Sequence, residues 1–396
     1  MIRSRAASLC AAVAILSTTP VLAQDSRTEA IENAQAAKAK DLHPYVPTTA
    51  ERVLTRIEGG LFGAPIGPYP WFGSVLSGGG LALGPGYRKP FGETGVFNVF
   101  AGWSIRNYKT IDAHVHLPEA ADGRVLVDLR ARWIDAPRVS FFGLGPDTLR
   151  ASRTSFAYEP LTVGVNAALR PVRWFEVGAG LDYLRVNTGP GASGVSIEDR
   201  FTPASAPGLG LDAKYIRPRV YAQIDSRDAP GYTRRGTLLR GELSDYRQDG
   251  DGFSFRRFDV DARQFIPLLR ENWIIALRAL GSFTDAASGE DVPFFLMSSL
   301  GGGSDLRSFS SFRFRDRNRL LLSGEFRWTA GHFLDMALFY DAGTVASRRE
   351  DLDGNDFNNS YGIGARFHTL AATILRIEYA HGNEGGRIVF AAGPSF

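Results

Sequence analysis

Between Gly78 and Phe396 the chain alternates apolar and polar residues in short runs separated by Gly, Pro, Asn, Asp and Ser, the period-two signature of strands with one apolar face. In Arg319–Trp328, Leu320, Leu322, Gly324, Phe326 and Trp328 share one face, and Leu321, Ser323, Glu325 and Arg327 share the other. In Phe333–Asp341, Leu334, Met336, Leu338 and Tyr340 oppose Asp335, Phe339 and Asp341. Fifteen segments read this way, from Gly80–Tyr87 to Gly386–Phe396. An antiparallel barrel with both ends on one side needs an even number, so the expectation is about 16 strands, with one more between Glu51 and Ser77 or within Arg153–Leu169.

The terminal run puts Ile388, Phe390, Ala392, Pro394 and Phe396 on one face and Arg387, Val389, Ala391, Gly393 and Ser395 on the other. A chain ending in such a strand leaves an unpaired edge unless the sheet closes. Closure onto the first strand in a bilayer satisfies the edge and leaves the apolar face in lipid. The expected fold is an all-β transmembrane barrel with Arg, Asp and Glu turned into the lumen. Most of the basic residues are Arg, which suits charges hydrogen-bonded inside a wall. No run reaches the ~18 apolar residues that a spanning helix needs. The net charge of +3 gives no footprint of a nucleic-acid binder.

Met1–Arg5 is basic, Ala6–Val21 is apolar, and Val21-Leu-Ala23 precedes Gln24 as a small-residue cleavage site. Residues 1–23 therefore read as a cleaved signal peptide. Cys10, the only cysteine, lies within it, which leaves the mature chain without thiol or disulfide chemistry. Residues 24–70 read as a short periplasmic segment whose Ala-rich, charged start suits a short helix, and residues 71–396 as the barrel.

A connection far longer than a hairpin runs from Val292 to Asp316 and contains Gly301, Gly302, Leu306, Arg307, Ser308 and Phe309. Long loops of this kind are usually functional. The stretch resembles the signature loop of the outer-membrane assembly barrels, the superfamily of BamA, TamA and the bacterial surface antigens. Asp225–Asp228 with Arg235-Gly236, Phe141–Gly145, Tyr361–Phe367 and the terminal Phe396 extend the resemblance over Gly78–Phe396. It implies a loop folded back into the lumen with Arg307 paired to acidic residues of nearby strands, for which Glu325 and Asp341 are the matching positions. Ser308 departs from the family's Gly and would be strained at positive φ. The alternative for Arg307 is a solvated loop charge.

The same resemblance implies a protein of the bacterial outer membrane with both termini periplasmic. Its partners would be outer-membrane lipid and unfolded outer-membrane proteins or other polypeptide clients. Its work would be insertion or translocation through a weak seam between first and last strands, with Ile388, Phe390 and Phe396 on the sorting strand. Gly84, Gly86 and Pro394 would weaken that seam. The interval before the barrel has no room for a periplasmic receptor domain of ~75 residues, so the chain reads as a variant without one. A receptor-less barrel acting as a narrow channel or a structural, lipid-interacting protein is the other reading.

Catalytic and metal signals are weak. His114 and His116 share a strand face but lack a third ligand in the sequence, so no metal is expected. Asp351–Asp356 has the Gly of a calcium loop misplaced. None of the six His accompanies a Gly-x-Ser-x-Gly nucleophile, so neither an enzyme nor a cofactor is expected.

Overall fold

The structure, a computed structural model, describes residues 66–396 apart from 120–122, 251, 270–271 and 370–371. The signal peptide assigned to 1–23 and nearly all of the segment assigned to 24–70 lie outside the described residues. The first half of the fold comprises β1 (Gly67–Gly73), β2 (Ala82–Phe91), β3 (Gly95–Ser104), β4 (Lys109–Glu119), β5 (Val125–Phe141), β6 (Thr154–Val172), β7 (Phe175–Pro190), β8 (Ala213–Asp225) and β9 (Gly236–Gln248). It continues with β10 (Phe255–Leu268), β11 (Trp273–Ala286), β12 (Ser298–Leu300), β13 (Phe314–Asp316), β14 (Asn318–Gly331), β15 (Leu334–Ala346), β16 (Asn358–His368), β17 (Thr373–Gly382) and β18 (Gly385–Ala392).

Sixteen of these form one antiparallel meander in sequence order, and β12 and β13 form a separate hairpin in the connection between β11 and β14. Sixteen alternating passes return β18 to the rim where β1 begins. The long connections 142–153, 191–212 and 287–317 all fall on the opposite rim. The missing strand is β1, inside Glu51–Ser77, so the barrel starts at Gly67 rather than at residue 71. Gly84 and Gly86, expected on the first strand, lie on β2.

Parity of side chains builds the wall. Along β7, Leu181 and Tyr183 are exposed outward while Asp182 between them is buried. The outward set also includes Leu129, Val220, Leu277 and Leu338, which supply the apolar surface a bilayer requires. Three inward carboxylates are met by arginine: Asp112 by Arg130 at 2.6 Å, Asp182 by Arg217 at 2.7 Å, and Asp261 by Arg263 and Arg278 at 2.6 and 3.1 Å. Such charge-assisted bonds offset the desolvation of groups facing a narrow lumen.

Toward the long-loop rim the interior becomes apolar. Phe294 and Phe295 of the long connection are buried against Phe141, Phe156 and Tyr215, with the Phe156 and Phe294 rings edge to face at 4.8 Å.

The last strand does not continue its alternation to the terminus. Ile388 and Phe390 face outward, 60% and 69% exposed, but β18 ends at Ala392. Gly393, at φ +79°, turns the chain by a conformation that a side chain would resist. Phe396 is consequently buried, 6% exposed, against Phe265, Ile274 and Ala276, which corrects its expected place on the lipid face.

Candidate functional site

The connection between β11 and β14 descends through the β12–β13 hairpin, whose tip spans Gly301 to Arg313. Gly301 and Gly302 take φ +109° and +115°, and a Cβ on Gly301 would stand 2.3 Å from the Ser310 carbonyl oxygen. Both positions thus require glycine for conformation, and Gly301 for space as well. Leu306 and Phe309 anchor the tip in an apolar cluster with Leu280, Leu300, Phe314, Leu321 and Val345. Ser308 escapes the strain expected of it, because only Phe312 of the tip's non-glycine residues has positive φ. Its N–H donates to Ser360 Oγ at 2.9 Å, and its own hydroxyl fills space that Gly382 leaves open.

Between these two apolar anchors Arg307 projects into a fully buried ionic cluster. Nε and Nη2 donate to the two oxygens of Asp341 at 2.9 and 3.0 Å, while Nη1 lies 2.8 Å from Glu325 and 3.0 Å from Glu378. The guanidinium plane covers the Phe339 ring at 3.7 Å. Arg307 is 1% exposed, and the three carboxylate side chains are at 0%. A bidentate arginine with a ring beneath it uses most of its donors and one face, an arrangement lysine cannot reproduce. Asp341, Glu325 and Glu378 belong to β15, β14 and β17, so the bonds tie the loop to three strands of the wall.

Further cations surround the carboxylates. Arg366 reaches Glu325 and Glu378 at 2.7 and 3.1 Å, Arg327 reaches Glu325 at 2.7 Å, and Arg376 reaches Glu378 at 2.7 Å. The cluster also holds the chain terminus. Ser395 Oγ donates to Glu325 at 3.0 Å, Arg376 Nε donates to the Gly393 carbonyl at 3.0 Å, and Arg327 lies over the Phe396 ring. Glu378, Arg327, Arg366, Arg376 and Ser395 were not singled out in the sequence. Their signal was the inward parity of Arg376-Ile-Glu378 and Glu325-Phe-Arg327, where like-facing residues of opposite charge recur two apart.

Other arginines of the loop are not solvated either. Arg313 pairs with Glu384 at 2.7 Å, and Arg315 is buried among Phe141, Phe156 and Phe312, donating to the Phe294 carbonyl at 2.8 Å. Burial without a carboxylate pushes the Arg315 guanidinium down to about 10.

The seam lies on the same side of the wall. Among the described residues no ladder joins β1 to β18. Pro70 stands opposite Pro85 in the β1–β2 pairing. Two prolines cannot exchange N–H bonds, so this is a non-hydrogen-bonded pair, and the β1 residues of its parity turn their backbone groups away from β2. Those residues are Pro68, Pro70 and Phe72, so the free edge of β1 offers one N–H in three positions. The inward residues fix β1 instead: Tyr69 donates to Asn98 Oδ1 at 2.7 Å, and Trp71 stacks on Phe100 at 4.4 Å.

A sixteen-stranded antiparallel sheet with an apolar outer face, a polar lumen and a loop arginine clamped inside it defines a transmembrane β-barrel with a lumen-inserted loop. Residues 211–396, which contain the loop and every acidic partner of Arg307, match the Omp85 superfamily domain. Among solved structures the fold is similar to BamA from Haemophilus ducreyi lacking POTRA domains 1–3, with TM-score 0.60, 14% identity, and coverage of 82% of this chain and 68% of that one. It is also similar to CdiB from Acinetobacter baumannii, with TM-score 0.53, 14% identity, and coverage of 82% and 56%. CdiB from Escherichia coli gives TM-score 0.53, 15% identity, and coverage of 83% and 59%. The chain therefore spans less than two thirds of either CdiB. Comparison with curated proteins returns no match.

Proposed function

We propose that this barrel inserts or translocates polypeptides at the outer membrane by opening the β1/β18 seam, with the Arg307 cluster as the fixed brace. The observation that carries the reading is the pair of unmatched edges: β1 has Pro68 and Pro70 turned to the gap, and β18 is cut short at Gly393. Opening such a seam breaks few backbone bonds, and an incoming strand can add by main-chain pairing to the proline-free edge of β18. The function is one of binding and strand exchange rather than of bond chemistry. Orientation follows from the family reading, with the rim carrying both free strand ends toward the periplasm. The narrow-channel reading is disfavoured by the apolar cluster toward the long-loop rim, where Phe141, Phe156, Phe294 and Phe295 are packed together.

A seam lock tests the proposal. With Cys10 the only native cysteine, paired cysteines can be placed on Pro70–Phe72 and on Val389–Ala391 and oxidised in cells. Locked barrels are expected to lower the level of client outer-membrane proteins, and reductant to restore it. Full client levels in cells whose barrels are quantitatively cross-linked would refute a gating seam.

A further inference from the structure

Away from the seam, the lumen face of β4 and β5 carries a second constellation. His114 and His116 lie two apart on β4 and so point the same way, into the lumen beside the buried Asp112. Asp128 stands directly opposite His116 in the β4–β5 ladder, diagonal to His114. The sequence offered no third ligand because this one comes from register. His114 Nε2 and His116 Nδ1 converge on the same oxygen, Asp128 Oδ1, at 2.9 and 2.5 Å. The three donor atoms all lie within 4.8 Å of one another.

We propose that His114, His116 and Asp128 bind one divalent first-row transition ion of the zinc type, with its remaining position open to the lumen. Two imidazoles and a carboxylate are the donor set such ions take, at ~2.0–2.2 Å per bond, and a three-residue site leaves room for water. The ion takes the place of the hydrogen bonding between the two rings and Asp128, each histidine offering the ring nitrogen that faces Asp128 and carrying its hydrogen on the other nitrogen. Each of the three side chains is about one third exposed, so the site is reachable from the lumen. The neighbouring Arg130, opposite His114, is already engaged, donating through Nε and Nη2 to Asp112. Asn166 supplies an independent sign of an absent donor. It faces Asp128 across the β5–β6 ladder, lines the same cavity of about 470 Å³, and its Oδ1 is buried without a hydrogen-bond partner. A water on the ion would carry the O–H that this oxygen lacks.

The test uses the full chain in detergent, free of any polyhistidine tag and stripped with chelator, titrated with Co²⁺ and then Zn²⁺. Expected are one equivalent of Co²⁺ with the intense visible bands of low coordination number, and displacement by Zn²⁺. Asp128→Asn, which preserves size, and His114→Ala with His116→Ala should weaken binding by at least the ~10–100-fold that loss of an outer-shell partner costs. His332→Ala, on the turn between β14 and β15, should bind as wild type. Absence of Co²⁺ binding by the wild-type barrel, or unchanged affinity in the folded Asp128→Asn variant, overturns the site and leaves a hydrogen-bonded His–Asp cluster.

Discussion

Replacing Arg307 with Ala should destabilise the barrel through one stranded carboxylate rather than three. Without Arg307, Glu325 keeps Arg327, Arg366 and the Ser395 hydroxyl, and Glu378 keeps Arg366 and Arg376. Asp341 loses both charge-assisted bonds of its bidentate pair and stays at 0% exposure. Breaking a buried pair from one side costs about 3–5 kcal/mol, most of it the desolvated partner left behind. Adding Asp341→Asn removes that charge, so the double variant should recover roughly 1–3 kcal/mol relative to the sum of the single changes. The assay is denaturant unfolding of the refolded barrel, followed by tryptophan fluorescence, with Arg348→Ala as the reference. Arg313 cannot serve as that reference, because it is itself buried against Glu384. Arg348 pairs with Asp351 on the surface, 66% and 41% exposed, and its loss should leave the midpoint where it is. Equal midpoints for the Arg307 and Arg348 variants, or strict additivity of Arg307→Ala with Asp341→Asn, would refute the brace.

Two further outcomes follow from the seam and the loop seat. Pro68→Thr with Pro70→Thr restores two N–H donors on the free edge of β1, and amide exchange should then report slower exchange in β1 together with poorer client insertion. Unaltered exchange would mean that the gap, not the prolines, keeps the edges apart. Gly382→Ala places a Cβ 2.3 Å from Ser308 Oγ and 2.5 Å from the Asn359 carbonyl, so it should cost about 1–3 kcal/mol by the unfolding assay. Pairing it with Ser308→Gly should relieve part of that cost, and no relief would place the strain in the Asn359 contact.

Parity made the wall legible: alternation alone turned Glu325 and Asp341 inward and Leu322 and Leu338 outward, and the requirement for an even count demanded a sixteenth strand. That strand was hard to see because Gly-Pro-Tyr-Pro-Trp-Phe-Gly reads as a linker, its prolines being tolerable only on an edge. Phe396 was misplaced because alternation was extended through Gly393, where a positive φ ends the period. The pairings of Glu378 and Asp128, unlike their inward parity, needed information that no single strand carries. Glu378 meets Arg307 across the lumen, and Asp128 meets His116 through the β4–β5 register.

The two edges of the seam are held very differently, and the proposed opening would start from the edge held less firmly. On one side the residues following β18 are fixed from within, since the Gly393 carbonyl accepts from Arg376 and Ser395 bonds both Glu325 and Arg327. Moving that edge inward or outward disturbs the same carboxylates that hold Arg307, at the cost of buried charge pairs. On the other side β1 is held by its ladder to β2 and by the contacts of Tyr69 and Trp71 with Asn98 and Phe100 of β3, and the β2 ladder to β3 is interrupted at Gly84 and Pro85 between the Leu83–Trp103 and Gly86–Phe100 pairs. Pro85 has no N–H to give, and the Gly84 Cα lies so close to β3 that a Cβ would stand 1.8 Å from the Ala101 carbonyl oxygen. The β1–β2 hairpin thus has an edge poor in donors and a defective ladder behind it, whereas β17 and β18 are pinned by the arginine cluster. An opening of the proposed kind that displaces the β1–β2 hairpin would break the Ser77–Ser311 hydrogen bond to the loop tip but none of the charge pairs of Arg307.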